Sequence, residues 1–542
     1  MQKISFKKTE KVFFSLLLIM LFIFPASLVE AQNSVQQNQL KFGRLLRLID
    51  GYYVDTANVD KLTEKAIVNL LSDLDPHSTY ISKEEVDKMN EPLVGNFEGI
   101  GISFNIYKDT LLVTTTISGG PSEKVGLRAG DRIIEVNDTS IAGTGLKNSD
   151  VFRILRGKKG TRVDLTVLRK PKNELLDFTI IRDKIPIFSL DASYMIDEST
   201  GYIKLNKFAA TSTKEFLTAM KELKKENIEN LIFDLRGNTG GYLKTAIEIS
   251  DQFLNDRDLV VFTEGTNEPK REYKASSRGS FKTGNLVVLI DENSASASEI
   301  VSGAIQDWDR GVIIGRRSFG KGLVQKPFPL TDGSIVRLTT AHYYTPSGRC
   351  IQKSYENGVK EYRKDYVNRV ESGEMFSADS IHFDESQKYK TLINSRIVFG
   401  GGGIMPDIFI PMDTSVHYKY INRLRRKTII YNFVLDYVDK NRDDIKGKYP
   451  EFKQYEKSFK VTSEMIDEIV ARGEKEDIEK DEESLAFAEK SLKKEIKAII
   501  ARDIYSRNDF FKIYYKDDEV VLKALEVLEN QKEYNSFLVS PE

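Results

Sequence analysis

The pattern of apolar and polar positions divides the chain into stretches of different periodicity. Between residues 32 and 94 the apolar residues recur at intervals of three and four, as in "LKFGRLLRLIDGYYV" and "VDKLTEKAIVNLLSDL", which predicts an N-terminal helical region. Residues 95–170 instead carry short β-rich runs separated by Gly, Pro and Asp, with one helix-like piece, "NSDVFRILRG". This second stretch is predicted to form a compact module of short strands.

Residues 171–413 alternate β-rich runs with helical ones, which predicts a parallel α/β core. "NLIFDLRGNTGGYLKTAIEI" predicts a strand, a glycine loop and a helix, and "NLVVLI", "SEIVSGAIQDW" and "GVIIG" predict a strand–helix–strand unit. Residues 414–542 are rich in Lys and Glu and are predicted to form a helical extension packed on the core. One helix there is indicated by a stripe of Leu485, Ala488, Leu492, Ile496, Ile499 and Ile504.

The first 31 residues have the pattern of a secretory signal peptide. A basic start, "MQKISFKKTEK", precedes the apolar run "VFFSLLLIMLFIF", and "VEAQ" offers small residues for cleavage after Ala31. The apolar run is shorter than the roughly 20 residues that a membrane anchor needs, so a cleaved signal is favoured and a retained tether is the alternative. We therefore expect export to the periplasm or cell envelope, with membrane association if the segment is retained.

Composition narrows the class of function. With 542 residues, 40% hydrophobic and 30% charged, the chain is expected to fold into several globular domains. A formal net charge of −1 provides no basic field for nucleic acid. The four histidines lack metal-ligand spacing, which argues against a zinc site; His77 and His342 are interpreted as structural. The lone Cys350 cannot form an internal disulfide.

Three serines at alternate positions, Ser294, Ser296 and Ser298, lie in "DENSASASEI", between a predicted strand and a predicted helix. Parallel sheets place their sites at the carboxyl ends of strands. A serine there would expose its hydroxyl, and the backbone N–H groups that follow would face an oxyanion. Serine is also favoured at helix N-caps, which is the better explanation of a serine-rich helix start taken alone.

Lys321 is the candidate general base, since no histidine is placed to activate a serine. It lies between two glycines in "RRSFGKGLVQ", and burial would lower the pKa of its amine toward neutrality. Gln325, four residues on, could hydrogen-bond and orient the amine. The commoner role of such a lysine is a surface cation in a glycine turn. Likewise, the "GG" of "RGNTGG" either presents N–H groups to a ligand or simply makes a tight turn.

Several separated motifs together resemble the carboxy-terminal processing peptidases, also called tail-specific proteases. They are "DENSASASEIVSGAIQDWDRGVIIGRRSFGKGLVQ", "DLRGNTGG", "LDPHSTYIS" and "YYTPSGRCIQ…GGGIMPDI", and the similarity covers about residues 40–410. The resemblance implies an α/β core related to the crotonase and Clp-protease superfamily. It implies these catalytic roles: nucleophile Ser296, general base Lys321, orienting residue Gln325, and an oxyanion hole from the backbone N–H groups of Gly241 and Ala297.

The remaining polar residues near these motifs are assigned supporting roles by the resemblance. Ser294 and Ser298 become capping or packing residues. Glu299 and Asp307 become structural supports, with a minor catalytic role left open for Asp307. His342 stands where an arginine is more usual in the family, and we interpret this as tuning of activity.

The segment "GNFEGIGISFNIYKDTLLVTTTISGGPSEKVGLRAGDRIIEVNDTSI" resembles a bacterial PDZ domain. In "GIGI", N–H groups freed by glycine could hold a terminal carboxylate, while an adjacent strand edge pairs with an extended peptide. The candidates for binding a substrate C-terminus are therefore Ile100, Gly101 and Ile102.

The helix-like piece of this module has two interpretations. Val151, Ile154 and Leu155 either line the pocket for the last side chain of a peptide or pack in the core of the module. For Arg156, a solvated side chain is slightly favoured over a link to the protease core.

The combined hypothesis is an exported serine endopeptidase with a Ser–Lys dyad, which binds the C-terminus of a protein substrate in its PDZ domain and cleaves upstream. No metal, organic cofactor or nucleic acid is implied, and the resemblance makes a homo-oligomer an expectation. One alternative is a non-catalytic PDZ adaptor, which predicts a lost nucleophile, lysine or glycine pair. Another is a crotonase-type acyl-CoA enzyme, which would have no use for a module that binds peptide termini.

Overall fold

A computed structural model of the chain describes residues 34–117, 119–170, 173–382, 384–413 and 418–540. The described residues form two compact units, divided between Tyr80 and Ile81. The predicted signal peptide, residues 1–31, lies outside the described residues. Within the described ranges, no helix combines the length and apolar character needed to cross a membrane.

The first unit is helical, as the apolar spacing predicted. Helix α1 spans residues 34–52, helix α2 spans Val59–Ser72, and the short strand β1, Thr79–Ile81, follows. Helix α2 begins after Asn58, whose side chain accepts a hydrogen bond from a backbone N–H of the first turn. Many apolar side chains of the two helices are exposed, among them Leu40, Leu45, Leu48, Leu62, Val68 and Leu70.

The next part of the chain contains a helix and the predicted β-rich module. Its elements are α3 (Lys83–Val94), β2 (Asn96–Gly99), β3 (Ile102–Tyr107), β4 (Thr110–Thr116), α4 (Pro121–Lys124), β5 (Arg132–Val136), β6 (Thr139–Ser140), α5 (Asn148–Leu155), β7 (Arg162–Arg169), β8 (Glu174–Ile181) and β9 (Asp183–Pro186). Strands β3, β4, β5, β7 and β8 form an antiparallel sheet in that order, with β6 paired to β5. Burial alternates along the first residues of β7 because one face of the sheet packs on the core of the module.

The described residues of the α/β part form two main sheets and a separate two-stranded sheet of β19 and β20. The elements of this part are β10 (Leu190–Met195), β11 (Thr200–Leu205), α6 (Ser212–Lys225), β12 (Asn230–Asp234), α7 (Leu243–Ser250), β13 (Leu259–Gly265), β14 (Glu268–Lys274), β15 (Asn285–Ile290), α8 (Ala297–Asp307), β16 (Val312–Gly315), β17 (Leu323–Pro329), β18 (Ile335–Tyr344), α9 (Gly358–Arg363), α10 (Asp365–Glu371), two 3₁₀ helices (Ala378–Ser380, Glu385–Gln387), β19 (Lys388–Lys390), β20 (Ile397–Phe399) and β21 (Ile408–Phe409).

The first sheet has the strand order β10-β11-β12-β15-β16-β21 and is parallel from β11 onwards, as predicted, with β10 antiparallel at its edge. The second sheet is antiparallel, in the order β17-β18-β13-β14. The expectation of a wholly parallel core did not include this second sheet. Strand β14 is largely exposed and polar, "EPKREYK", so it lacks the apolar run that predicts a buried strand.

The C-terminal extension is helical, as predicted. Its elements are α11 (Lys419–Arg426), α12 (Ile429–Lys448), α13 (Phe452–Ser458), α14 (Ser463–Glu474), α15 (Glu482–Ile504), α16 (Arg507–Tyr514), α17 (Glu519–Glu529) and α18 (Gln531–Ser536). All six residues of the apolar stripe predicted in α15 are buried in the hydrophobic core of the extension. The amphipathic helix predicted there is therefore confirmed.

Helices cover both faces of the parallel sheet. Alternate side chains of its strands, such as Leu231, Phe233 and Val288, pack in one core with helices α6, α7 and α8. The side chains between them pack on the other face against helices α17 and α18. The second core includes Tyr202, Ile232, Val287, Leu289, Val312 and Ile314 from the sheet and Val520, Val521, Ala524, Val527, Leu528 and Tyr534 from the extension. The extension therefore supplies the second cover that a parallel sheet requires.

Candidate active site

The three sequence motifs follow three neighbouring parallel strands. The glycine loop (residues 235–242) follows β12, the serine corner (residues 291–296) follows β15, and the lysine loop (residues 316–322) follows β16. Because the three strands run in the same direction, the loops that follow them lie at the same edge of the sheet. One cavity of about 1260 Å³ is lined by all five residues predicted for catalysis: Ser296, Lys321, Gln325, Gly241 and Ala297.

Ser296 has a backbone conformation that is rare for a residue with a side chain. Its φ is 56° and its ψ is −110°, a region that costs about 1–3 kcal/mol for a residue other than glycine. The residue forms the sharp turn between the end of the serine corner and the first residue of α8. Such strain persists only where neighbouring contacts hold the backbone, and here these contacts come from Glu299 and Tyr343.

The buried carboxylate of Glu299 joins the serine corner to the lysine loop. Its Oε2 accepts hydrogen bonds from the backbone N–H groups of Ser296 at 2.7 Å and Lys321 at 3.0 Å. Its Oε1 accepts from the Ser318 hydroxyl at 2.6 Å and the Gly320 N–H at 2.7 Å. Burial raises the pKa of Glu299 to about 6, against the opposing effect of these donors. Glu299 thus supports the structure by binding both segments that carry the predicted dyad.

Tyr343, from strand β18, holds the other side of the same two backbone segments. Its hydroxyl donates to the carbonyl of Lys321 at 2.5 Å and lies 3.1 Å from the carbonyl of Ser296. Burial, with a contribution from the nearby Glu299, raises the pKa of Tyr343 well above its ordinary value. The phenol therefore remains a proton donor. Sequence reasoning missed this residue, which belongs to the sheet that was not anticipated.

The amine of Lys321 is fixed by the residue that was predicted to orient it. Its Nζ donates a hydrogen bond to Oε1 of Gln325 at 2.9 Å. Both side chains are half-buried, and both line the cavity that contains Ser296. An amide oxygen accepts from the amine in either charge state, so Gln325 can hold Lys321 in place while it gains and loses a proton.

The glycine pair presents one N–H group to the cavity. The Phe208 N–H donates to the Gly240 carbonyl at 3.0 Å, and the Phe208 carbonyl accepts from the Tyr242 N–H at 2.8 Å. Because the C=O and N–H of a trans peptide point in opposite directions, the Gly241 N–H points away from Phe208. The N–H of Ala297, the first residue of α8, has no acceptor within the helix. This arrangement fits the oxyanion hole predicted at these two residues.

Gly240 approaches the predicted nucleophile closely, and the sequence analysis did not single it out. Its φ is +98°, and a Cβ there would lie 2.9 Å from the Cβ of Ser296 and 3.0 Å from the N of Ala297. Any side chain at residue 240 would therefore collide with the serine corner. The two consecutive glycines of "NTGG" were the signal in the sequence. Gly240 allows the close approach to the serine corner, and Gly241 presents its N–H group to the cavity.

The two outer serines anchor the corner, as the resemblance implied. The Ser294 hydroxyl donates to the carbonyl of Leu235 at 2.9 Å, and the Ser298 hydroxyl donates to the carbonyl of Asn238 at 2.8 Å. Both serines are fully buried, and their acceptors belong to the glycine loop. The two hydroxyls therefore hold the nucleophile segment against the predicted oxyanion hole.

Asp307 and His342 lie outside the cavity that contains Ser296. The Asp307 carboxylate forms a fully buried ion pair with Arg349 at 2.7 Å and accepts the Ser347 N–H at 2.9 Å. These contacts agree with a structural support. His342 lines a second cavity of about 840 Å³, which places it apart from the predicted dyad.

The predicted carboxylate-binding loop lies at the start of strand β3. Ile100 is buried, and its carbonyl accepts from both the N–H and the hydroxyl of Ser122. Gly101 has φ +78°, which favours glycine, and Ile102 begins the strand. The aromatic rings of Phe104 in β3 and Phe152 in α5 are 5.5 Å apart, so the strand and helix predicted to bind a peptide are neighbours.

Helix α5 packs in the module and is linked to helix α3. Val151 and Leu155 are buried in the core of the module, which supports the core interpretation for these two. The slightly favoured interpretation of Arg156 as solvated is wrong. Its Nη1 donates to both carboxylate oxygens of Glu91, at 2.8 and 2.5 Å, and its guanidinium lies 4.8 Å from the ring centre of Phe97. Since α3 also lines the catalytic cavity, Arg156 connects the module to the site.

Known proteins with similar sequences are proteases. The family model "Peptidase family S41" matches residues 199–361, a PDZ domain model matches residues 112–169, and a model for a family of unknown function matches residues 420–506. Together with the fold and the cavity, the first two matches define a serine-type peptidase that carries a PDZ domain.

Curated relatives narrow this class. Carboxy-terminal processing protease CtpB of Bacillus subtilis is 36% identical over 317 residues, 58% of this chain and 65% of the relative, so the chain spans just under two thirds of it. The carboxy-terminal-processing protease of Bartonella bacilliformis is 36% identical over 331 residues, 59% of this chain and 74% of the relative. CtpA of Bacillus subtilis is 34% identical over 67% of this chain and 79% of the relative. The chain belongs to the carboxy-terminal processing protease family.

Solved structures give matches of the same kind. The photosystem II D1 C-terminal processing protease is 28% identical, with a TM-score of 0.34, and the match covers 58% of this chain and 90% of that chain. A PDZ domain of a carboxy-terminal protease from Vibrio cholerae, solved with a peptide, is 34% identical with a TM-score of 0.16, and the match covers 17% of this chain and 97% of that chain.

Proposed function

We propose that the protein hydrolyses peptide bonds with a Ser296–Lys321 dyad and acts on proteins whose C-terminus binds its PDZ domain. The observation that carries this proposal is the shared cavity. It contains the strained Ser296 and the amine of Lys321, which Gln325 holds, and is lined by the Gly241 and Ala297 backbone. A non-catalytic PDZ adaptor would have no need for this arrangement.

The proposed reaction uses these groups in sequence. The neutral amine of Lys321 accepts the proton of the Ser296 hydroxyl as its oxygen attacks the carbonyl carbon of the substrate. The N–H groups of Gly241 and Ala297 stabilise the resulting oxyanion. The protonated Lys321 then donates its proton to the leaving amine, which leaves an acyl-enzyme on Ser296. Water, deprotonated by Lys321, attacks the ester and regenerates the serine.

Two parts of the PDZ module support substrate capture. The loop of Ile100, Gly101 and Ile102 opens strand β3, whose edge can pair with an extended peptide. The pair between Arg156 and Glu91 ties the module to helix α3 and thereby to the wall of the cavity. In this proposal the substrate terminus binds at the loop while an upstream segment lies across Ser296.

We also propose export through residues 1–31 and association into a homo-oligomer. Export is supported by the basic start and the apolar run of these residues. Association is supported by the exposed apolar side chains of α1 and α2, which are more than a small helical unit usually leaves in water. N-terminal sequencing of the protein from whole cells tests the first statement, and sedimentation of the purified protein tests the second.

The dyad is tested with a matched set of variants. Wild type, Ser296→Ala and Lys321→Ala are incubated with an unstructured protein that bears an apolar C-terminus. Lys326→Ala is the control, because this neighbouring lysine does not line the cavity and instead pairs with Glu268. We expect cleavage by wild type and by the control alone. Retained cleavage by either dyad variant would refute the proposed mechanism, and binding without cleavage by wild type would favour the adaptor.

A further inference from the structure

We infer that the catalytic cavity selects substrates with acidic side chains close to the scissile bond; this inference rests on the proposed function and specifies its substrate. The residues described around the cavity carry more basic than acidic groups. The basic ones are Lys207, Lys244, Arg271, Lys321 and Arg337, and the acidic one is Glu248. The Glu248 carboxylate is itself engaged, by the Thr213 hydroxyl at 2.6 Å and by Lys244 at 3.7 Å.

One face of the antiparallel sheet forms a wall of this cavity. Side chains alternate between the two faces of a strand, and in β14 the alternation separates two kinds of charge. Lys270 and Lys274 both pair with Glu272. Arg271 and Tyr273, between them, line the cavity. The lysines on the far face therefore have a carboxylate partner within the strand, whereas no carboxylate of the described residues pairs with Arg271 on the cavity face.

Arg337 lies close to Gln325, the residue that holds the proposed base. In the register of β17 and β18, Arg337 is opposite Pro327, and Pro327 is two residues, roughly 7 Å, along the strand from Gln325. Residues Pro327, Gln325 and Arg337 all line the cavity. A substrate that lies across Lys321 and Gln325 thus brings its neighbouring side chains within reach of the Arg337 guanidinium.

Arg271 lies in line with the residue that holds the catalytic backbone. In the sheet register Arg271 is opposite Thr263, and Thr263 is opposite Tyr343. Two strand spacings, about 10 Å, therefore separate Arg271 from Tyr343. Because the Tyr343 hydroxyl contacts the carbonyls of Ser296 and Lys321, Arg271 lies a few substrate residues from the scissile bond.

Three of the basic groups that line the cavity lack a carboxylate partner within the described part of the chain. Among the described residues, no carboxylate forms an ion pair with Lys207, Arg271 or Arg337, and the Arg271 guanidinium lies 5.1 Å from the ring centre of Tyr273. A substrate carboxylate would supply the missing partner through charge-assisted hydrogen bonds, which arginine makes in bidentate form. A substrate lysine at the same place would be repelled.

Three peptides test this inference. They share one sequence and one apolar C-terminal tail and differ in carrying Glu, Gln or Lys at the two positions on each side of the scissile bond. We expect kcat/KM to fall in the order Glu, Gln, Lys, with about tenfold or more between the extremes and a smaller difference at high salt. Equal kcat/KM values, or a preference for Lys, would overturn the inference.

Variants of Arg271 and Arg337 test whether the wall formed by the antiparallel sheet causes the preference for acidic substrates. The double variant Arg271→Gln, Arg337→Gln is expected to bring the ratio of kcat/KM for the Glu peptide to that for the Lys peptide close to one. The double variant Arg271→Lys, Arg337→Lys, which keeps the positive charges, is expected to restore part of this ratio. Lys326→Gln is the matched control, since it removes a nearby cation that does not line the cavity, and its ratio should equal that of wild type. An unchanged ratio in the double glutamine variant would overturn the assignment.

A binding measurement separates this inference from the proposed function. The affinities of the three peptides for Ser296→Ala are measured by fluorescence anisotropy, with the common tail contributing equally to each. Absence of cleavage by wild type would refute the proposed function, while the order of affinities would still decide the inference. Cleavage of all three peptides at one rate, with equal affinities, would refute the inference alone.

Discussion

The two faces of the parallel sheet are covered by different parts of the chain. Helices α6 to α8, on one face, are interleaved with the strands, and α8 begins immediately after Ser296, the predicted nucleophile. Helices α17 and α18, on the other face, lie far along the chain, and the Tyr534 hydroxyl accepts the N–H of Leu286 across 248 residues. The first face includes the helix that follows the predicted nucleophile. The cover of the second face, although remote in sequence, completes the sheet that carries the predicted catalytic residues.

Arg236, at the start of the glycine loop, ties this loop to the C-terminal extension. It forms ion pairs with Asp234, at the end of β12, at 2.7 Å and with Asp518, at the start of α17, at 2.8 Å. Although burial acts to raise the pKa of Asp234, the charges of Arg236 and Lys204 hold it below its ordinary value. The comparison teaches that the extension is part of the protease fold.

The largest effect is expected from removing the second cover. Deletion of residues 519–540 exposes the sheet side chains that pack against Val521, Val527, Leu528 and Tyr534. At about 1.5–3 kcal/mol for each large apolar side chain, the loss is comparable to the whole stability of a domain. We expect no soluble folded protein, as judged by yield and circular dichroism.

A substitution on the exposed side of α17 is the control for the deletion, because it changes this helix without exposing the sheet. Leu522 is 46% exposed on the same helix, so Leu522→Asp should fold with nearly the melting temperature of wild type. A truncated protein that folds and cleaves normally would show that the second face does not need its cover.

On the catalytic face, Glu299→Gln is expected to lower kcat by about a hundredfold or more. Glutamine can accept with one oxygen only, so its NH₂ group would face two of the donors that the carboxylate now satisfies. Measurement of kcat and KM should show the loss in kcat. Ser302→Ala, which removes a hydroxyl bonded within α8, serves as the control, and equal kcat for both variants would contradict the role of Glu299.

Because the pKa of Glu299 is raised, the stability of the folded protein is expected to decrease as the pH rises. It is raised by burial from 4.5 to about 6 in the folded protein, so the folded state retains a proton that the unfolded state releases earlier. Glu299 thereby contributes about 2 kcal/mol to the free energy of unfolding. This contribution is fully present below pH 4.5 and is lost as the pH rises through 6. Denaturant titrations across this range should show the loss in wild type and not in Glu299→Gln. Parallel curves for the two proteins would be inconsistent with this account.

The smallest effect is expected where the glycine loop is tied to the extension. Asp518→Asn weakens the pair with Arg236 while Arg236 keeps its pair with Asp234, so the free energy of unfolding should fall by about 1 kcal/mol. Asp517→Asn, at the neighbouring exposed acid, is the matched control and should change it less. Equal effects of the two substitutions would mean that the link between the glycine loop and the extension contributes nothing specific.

Much of the catalytic edge could be predicted from the sequence because its signals are local. The strands that precede the glycine loop, serine corner and lysine loop are apolar runs, and the polar residues that follow them retain a recognisable order. Gln325 is four residues from Lys321, so even their hydrogen bond had a signal in the sequence.

The remaining features of the site could not be predicted, because they depend on contacts between residues that are far apart in the sequence. The carboxylate that Arg156 binds lies 65 residues earlier, and Tyr343 reaches Ser296 across 47 residues. Strand β14 carries a polar pattern because one of its faces is turned to solvent and the other lines a cavity. The second cover of the sheet was predicted as helices packed on the core, but periodicity alone could not identify the face that they cover.

The shared carboxylate of Glu299 has a consequence for how the enzyme can be turned on and off. Since one side chain accepts from the N–H groups of both Ser296 and Lys321, any rearrangement that withdraws one of these backbones also removes an anchor of the other. The two halves of the proposed dyad are thereby coupled, so a change that displaces one is expected to displace the other. We therefore expect the proposed activity to be gained or lost as a whole at this edge of the sheet.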